Sequence, residues 1–217
     1  MLQADFESKY KHIYEFVKST LQSAPGCHDF DHTLRVLRNA EKLAAEMPEA
    51  DLQIIRLAAL LHDIARPEEM KSKGKLCHAR KGAEICAYEL KKYDFPQAMI
   101  EKICACVQSH RFRGDGPAPQ SLEAEIIYDA DKLDSIGAIG IGRAFYFAGR
   151  ENARVHNTSE EALNSEAYSR EDSAYREYLV KLRHVADKML TAAGKRHAVV
   201  RAKFMHDFFA QIEREIK

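Results

Sequence analysis

Helix-breaking residues are scarce in this sequence: its 217 residues include only ten glycines and six prolines. Long apolar runs are missing too, since none approaches the ~18–20 residues that span a bilayer as a helix. Charge of one sign is not in excess. Thirty-three Lys and Arg offset thirty-three Asp and Glu, so the formal net charge is zero, which argues against bulk binding to nucleic acid or to an anionic membrane. The five cysteines (Cys27, Cys77, Cys86, Cys104 and Cys106) are odd in number and form no CxxC pair. The first residues carry no apolar signal region, so the expected location is a reducing cytoplasm. A chain of this length buries roughly 70% of the surface its unfolded form exposes, so it needs neither disulfides nor a structural metal to fold. Any metal it binds is expected to be functional.

Apolar residues recur mostly at three- and four-residue steps, which predicts an almost entirely α-helical chain. Helices are expected over about 4–22, 29–47, 50–65, 78–93, from Pro96 to about His110, and from Ser121 to Asp134. The third is apolar on most of its circumference and is expected to be central and buried, with Pro67 ending it. Glu68 to Lys75 reads as a mobile loop, and Arg113 to Pro119 as a sharp break. Gly137, Gly140 and Gly142 follow no strand and have the wrong spacing for a dinucleotide loop, so close helix contact is their expected use. Residues 149–171 are polar and read as a surface excursion or lid. A final pair over about 172–191 and 195–216 reads as a long helical hairpin, with Val199, Phe204, Phe208 and Phe209 available to pack on its own domain or on a partner. The whole, 1–217, is expected to be one domain, with a metal-binding core over about 24–147.

The placement of the histidines is the most informative feature. His62-Asp63 closes the apolar run Leu57 to Leu61, where a buried helix meets a loop. A carboxylate there is costly unless it is paired or ligates a cation. Neighbouring helix residues point about 100° apart, yet both reach an ion seated over their shared edge. Two further ligands must come from other helices, and His32 in His28-Asp-Phe-Asp-His32 and Asp131 in Tyr128-Asp-Ala-Asp131 are the candidates. A set of two histidines and two aspartates suits an octahedral Mn²⁺, Fe²⁺, Ni²⁺, Co²⁺ or Mg²⁺ with positions open to water. Cys27 and Cys77 flank histidines, but the preferred reading for each is a small buried hydrophobe.

On His28-Asp-x-x-His32-x-x-Arg35-Val36, Leu61-His62-Asp63-Ile64, Ser109-His110 and the run Asp129 to Arg143, the sequence resembles the HD-domain superfamily of metal-dependent phosphohydrolases, whose pattern is H…HD…D. More narrowly it resembles a bacterial branch that includes nucleoside triphosphate pyrophosphatases. The resemblance implies an all-α HD-domain bundle in which His32, His62, Asp63 and Asp131 hold the metal. It further implies that His28 is an outer partner or a substrate contact. Binuclear HD proteins add two histidines between the HD dipeptide and the last aspartate. His78 and His110 stand there, but Arg111 replaces the second adjacent histidine of that pattern. A second ion therefore remains open; without it His110 becomes a phosphate ligand or proton donor.

The expected chemistry is attack of metal-activated water on a phosphoester or phosphoanhydride, with Asp63 or Asp131 accepting the proton. Arg35, one turn after His32, and Lys132, next to Asp131, are the candidate phosphate contacts. Lys71, Lys73, Lys75, Arg80 and Lys81 read equally as a phosphate-attracting rim or as a solvated loop. Asp134 is expected to orient a water. Phe145, Tyr146 and Phe147 read as core aromatics. The expected ligand is a small phosphorylated molecule, a nucleotide for preference. A di-iron oxygenase on the same fold and a non-catalytic nucleotide sensor are the rival readings.

Overall fold

The computed structural model describes residues 3–22, 24, 26–72, 75–111 and 116–216. Lys73, and residues 113–115 of the predicted Arg113–Pro119 break, lie outside them. Every regular element among the described residues is an α- or 3₁₀-helix, as the apolar spacing predicts, and none of these helices is long and apolar enough to cross a membrane. Packing divides the chain into two compact units, residues 1–131 and 132–217.

In the first unit, α1 (Gln3–Leu21), α2 (Phe30–Ala44) and α3 (Leu52–Leu61) pack on one another. Asp29 caps α2 by accepting from the His32 backbone N–H at 2.9 Å, and Asp51 caps α3. Both caps satisfy amide groups that the first turn of a helix leaves unpaired. Ile55 and every residue from Leu57 to Leu61 are fully buried, so α3 is the central helix that its composition predicts. Each large side chain there contributes about 1.5–3 kcal/mol of burial. Helix α3 stops at Leu61, which leaves His62 and Asp63 in the turn that follows.

The predicted loop over Glu68 to Lys75 is in part a helix, α4 (Arg66–Lys71). Pro67 lies in its first turn rather than ending the element before it; proline's fixed φ and missing N–H suit a helix start. Helices α5 (His78–Lys92) and α6 (Gln97–Ser109) pair closely, and α6 also lies against α3. Helix α7 (Leu122–Asp134) starts with the Ser121 hydroxyl accepting from the Ala124 N–H at 3.2 Å. Buried Asn39 of α2 donates to the carbonyl of Ala130 at 3.1 Å, which ties α2 to α7 one residue before Asp131.

In the second unit, α8 (Gly137–Arg150) packs against α11 (Ala192–Glu215). Gly140 accounts for part of that approach: a Cβ there would lie 2.2 Å from the Ser135 carbonyl oxygen and 3.0 Å from Met205. Gly142 has nothing within 4 Å, so the close-contact reading of the glycine series does not extend to it. Phe145 packs on Phe208 and Phe209, whereas Tyr146 is 50% exposed and does not belong to the core.

The polar excursion contains a short helix, α9 (Ser159–Leu163), and is fastened by Arg154 to Glu161 and Glu171 and by Asn157 to the Glu171 carbonyl. The expected first arm of the hairpin is not one helix. It is α10 (Ala174–Val180) followed by 3₁₀ turns at 182–184 and 186–188. Leu182, Val185 and Met189 are buried, and their three- and four-residue spacing suits tight turns as well as an α-helix. Asp134 pairs with Arg143 at 2.8 Å, so its carboxylate is engaged in an ion pair rather than free to orient a water.

Candidate metal centre

Six side chains from five places in the first unit converge. His32 comes from the first turn of α2, His62 and Asp63 from the end of α3, His78 from the start of α5, His110 from the end of α6, and Asp131 from α7. Three groups result among the described residues, His28–His32–Asp63, His32–His62–Asp131 and Asp63–His78–His110, with ligand atoms in each within 4.8 Å of one another. Asp63 joins them. Its Oδ2 lies 3.7 Å from His32 Nε2 and 3.8 Å from His62 Nε2, while its Oδ1 lies 3.2 Å from His78 Nε2 and 3.6 Å from His110 Nε2. Asp131 Oδ1 is 3.6 Å from His32 Nε2. No cysteine enters these groups among the described residues, and Cys77 is exposed rather than buried.

The ends of α3 and α6 set the chemistry of two of these histidines. His62 Nδ1 lies 2.8 Å from the Ala59 carbonyl and His110 Nδ1 lies 2.6 Å from that of Val107. A carbonyl only accepts, so Nδ1 donates in both, and a neutral ring then keeps its lone pair on Nε2. Those Nε2 atoms face other imidazole nitrogens, His62 to His32 at 3.3 Å and His110 to His78 at 3.1 Å. Lone pairs brought this close need a proton or a cation between them. The donor set of neutral imidazoles and carboxylates therefore fits a divalent ion.

Around the ligand atoms lies a second set of contacts. His28 Nδ1 donates to Asp63 Oδ2 at 2.9 Å, and its Nε2 accepts from Arg66 at 2.9 Å, so both ring nitrogens are engaged. Burial pushes the His28 imidazole down to about 3, against the pull of Asp63. Burial lowers His62 as well. Burial works to raise Asp63, but its surroundings, the Arg66 guanidinium and the hydrogen bond from His28 among them, outweigh it and hold the carboxyl well below its usual range. Glu69 Oε2 takes His78 Nδ1 at 2.9 Å and Arg66, and Oε1 takes Arg111 at 2.8 Å. Burial opposes ionisation of Glu69, yet these partners bring it down to about 2. His78 is raised: burial lowers it, but Asp63 and Glu69 prevail.

The structure thus brings together His32, His62, Asp63, Asp131, His78 and His110, and sets His28 against Asp63. Arg35 and Lys132 are half-buried on α2 and α7. Of the predicted rim, Lys71, Lys75 and Arg80 are exposed and Lys81 pairs with Glu84. The sequence does not single out Arg66 or Glu69, the latter lying in a stretch that reads as loop, and it presents Arg111 only as the residue in place of a second histidine. Pro67 with Glu68 and Glu69 behind it is a helix-start signature that would have placed them.

The HD domain family matches residues 29–136, which hold all six converging residues. The chain belongs to the HD-domain family. YpgQ of Bacillus subtilis is 31% identical over 207 residues, covering 94% of this chain and 92% of YpgQ. The crystal structure of Bacillus subtilis YpgQ in complex with ADP is similar with a TM-score of 0.74 at 26% identity, over 97% of this chain and 96% of that one. An HD-superfamily hydrolase from Bacillus thuringiensis is similar with a TM-score of 0.73 at 27% identity, covering 97% of each chain. These HD-domain relatives span nearly the full length of the chain, and they support a metal-dependent hydrolase.

Proposed function

We propose that this HD-domain protein is a metal-dependent phosphohydrolase acting on a nucleotide, and that its specific reaction splits a nucleoside triphosphate into monophosphate and pyrophosphate. The observation that carries the reading is the convergence of four imidazoles and two carboxylates, with facing Nε2 atoms that suit a cation between them. The complex of the related YpgQ with ADP supports a nucleotide as the ligand. His32, His62, Asp63 and Asp131 would hold one ion, with Mn²⁺, Mg²⁺, Ni²⁺, Co²⁺ and Fe²⁺ the candidates, and His78 and His110 would hold a second together with Asp63. Such an ion, when bound, acidifies water and offsets the charge that builds on phosphoryl oxygens.

Asp63 has both oxygens committed and is only 4% exposed at its side chain. Asp131, at 18%, is the carboxylate with solvent access, so the proton from water goes to Asp131. His28 holds Asp63 in orientation through Nδ1. Arg35 and Lys132 receive the phosphate oxygens, and Arg66, held by Glu69 and His28, adds fixed positive charge beside Asp63.

The test is to strip the protein of metal, reconstitute it with each of the five ions, and offer nucleoside mono-, di- and triphosphates, with Asp63→Ala as control. Monophosphate plus pyrophosphate is the expected product pair, and nucleoside plus phosphate would make the protein a nucleotidase instead. The Asp63–His78–His110 group favours one rival, a di-iron oxygenase. That reading predicts two irons and oxygen-dependent turnover, and anaerobic activity with Mn²⁺ would refute it. Saturable nucleotide binding without turnover under any ion would make the protein a sensor.

A further inference from the structure

Of the three histidines whose outward nitrogen is visible in the geometry, two are oriented by backbone. Ala59 and Val107 lend carbonyls to His62 and His110. His78 has no such support. Its Nδ1 stands between two opposed partners, Oε2 of Glu69 at 2.9 Å, which only accepts, and Nη1 of Arg66 at 3.0 Å, which only donates. The two partners demand different rings. Donation to Glu69 leaves Nε2 free to carry a lone pair toward Asp63 and His110. Acceptance from Arg66 forces the neutral ring to carry its proton on Nε2, where it presents nothing to a cation.

Glu69 is built to win that contest. It is 8% exposed, and Arg66 and Arg111 approach it from α4 and from the end of α6, so its carboxylate is fixed in place. It also draws the Arg66 guanidinium onto itself. We propose that Glu69 is the positioning residue of a second cation site formed by Asp63, His78 and His110, and that it selects the His78 tautomer able to ligate. The inference rests on the reading of this cluster as a metal centre and adds the group that decides whether its second half is competent. A carboxylate behind a ligating imidazole fixes the ring and raises its basicity, and losing such a partner costs 10–100-fold in metal affinity.

Glu69→Gln tests this without relying on turnover. The amide is nearly the same shape, but its weaker acceptor lets Arg66 take Nδ1. Calorimetric titration of metal-stripped protein with Mn²⁺, paired with electron paramagnetic resonance to detect spin-coupled ions, should find two ions in the unaltered chain. In Glu69→Gln the first should bind as before and the second at least ~10-fold more weakly, with the coupled signal lost at stoichiometric Mn²⁺. His78→Gln should lose the second ion altogether. Glu69→Asp, which withdraws the acceptor by one methylene, serves if Glu69→Gln fails to fold and should show the same selective weakening. A purely structural Glu69 would lower the melting temperature while leaving both affinities unchanged, and that result overturns the proposal. One ion in the unaltered protein overturns the proposal alone, while none overturns it together with the proposed function.

Discussion

Asp63 is the residue on which both halves of the cluster depend, because Oδ2 faces His28, His32 and His62 while Oδ1 faces His78 and His110. Asp63→Ala should therefore abolish binding of every ion the centre takes. A ligand that binds only the native state adds about 2.7 kcal/mol at a hundredfold excess over Kd. In a chain of this size one kcal/mol moves Tm by roughly 2–4 °C, so each bound ion should raise it by roughly 5–11 °C. Without metal the variant should fold but be less stable by about 1–3 kcal/mol, since His28 Nδ1 loses its acceptor while Arg66 keeps Glu69. Thermal melts across a Mn²⁺ series measure both quantities at once. An equal upward shift in Asp63→Ala and the unaltered chain would refute the assignment of Asp63 as the shared ligand.

Burial raises the Tyr10 phenol to about 12, outweighing the Arg56 guanidinium stacked 4.1 Å from its ring centroid. The unfolded phenol ionises near 10, so the native state holds its proton longer. The contribution is complete below pH 10 and should fall by roughly 3 kcal/mol as pH rises from 10 through 12. Denaturant melts of Tyr10→Phe should lack that part of the alkaline decline, and parallel curves would count against it. Gly140→Ala should destabilise by about 1–3 kcal/mol because the added methyl meets the Ser135 carbonyl, whereas Gly142→Ala should stabilise by about 0.5–1 kcal/mol. Urea midpoints in the same sign for both would contradict the packing of α8. Asn39→Ala leaves the Ala130 carbonyl without its buried donor, so it should cost about 1–3 kcal/mol and weaken Mn²⁺ binding through Asp131. Unchanged ion affinity in a folded variant would show that Asn39 does not position α7.

The parts of this fold that sequence spacing carries are those where one residue type has one physical use. Apolar periodicity located α1 to α3 and α5 to α7, and a histidine–aspartate pair closing an apolar run marked the site, because such a pair needs a partner that a core does not offer. The outer contacts left no such trace. Glu69 lies nine residues from His78 and forty-two from Arg111, and no spacing rule links residues that meet only after α4, α5 and α6 have packed. The first arm of the terminal pair reads as a single helix because buried residues at three- and four-residue steps serve 3₁₀ turns and α-helices alike. Asp134 looked available for chemistry because nothing in its own helix announces Arg143, nine residues on.

The early stops of α3 and α6 have a consequence of their own. A carbonyl in the last turn of a helix has no amide four residues on to bind, and here Ala59 and Val107 spend theirs on imidazoles instead. Because main-chain atoms do the orienting, the side chains at 59 and 107 are free to drift among residues that fill the same volume. What the orientation of the rings depends on is the length of each helix. One more turn would give both carbonyls to the ladder and let the two rings swivel, so the point at which each helix ends fixes the direction of its imidazole.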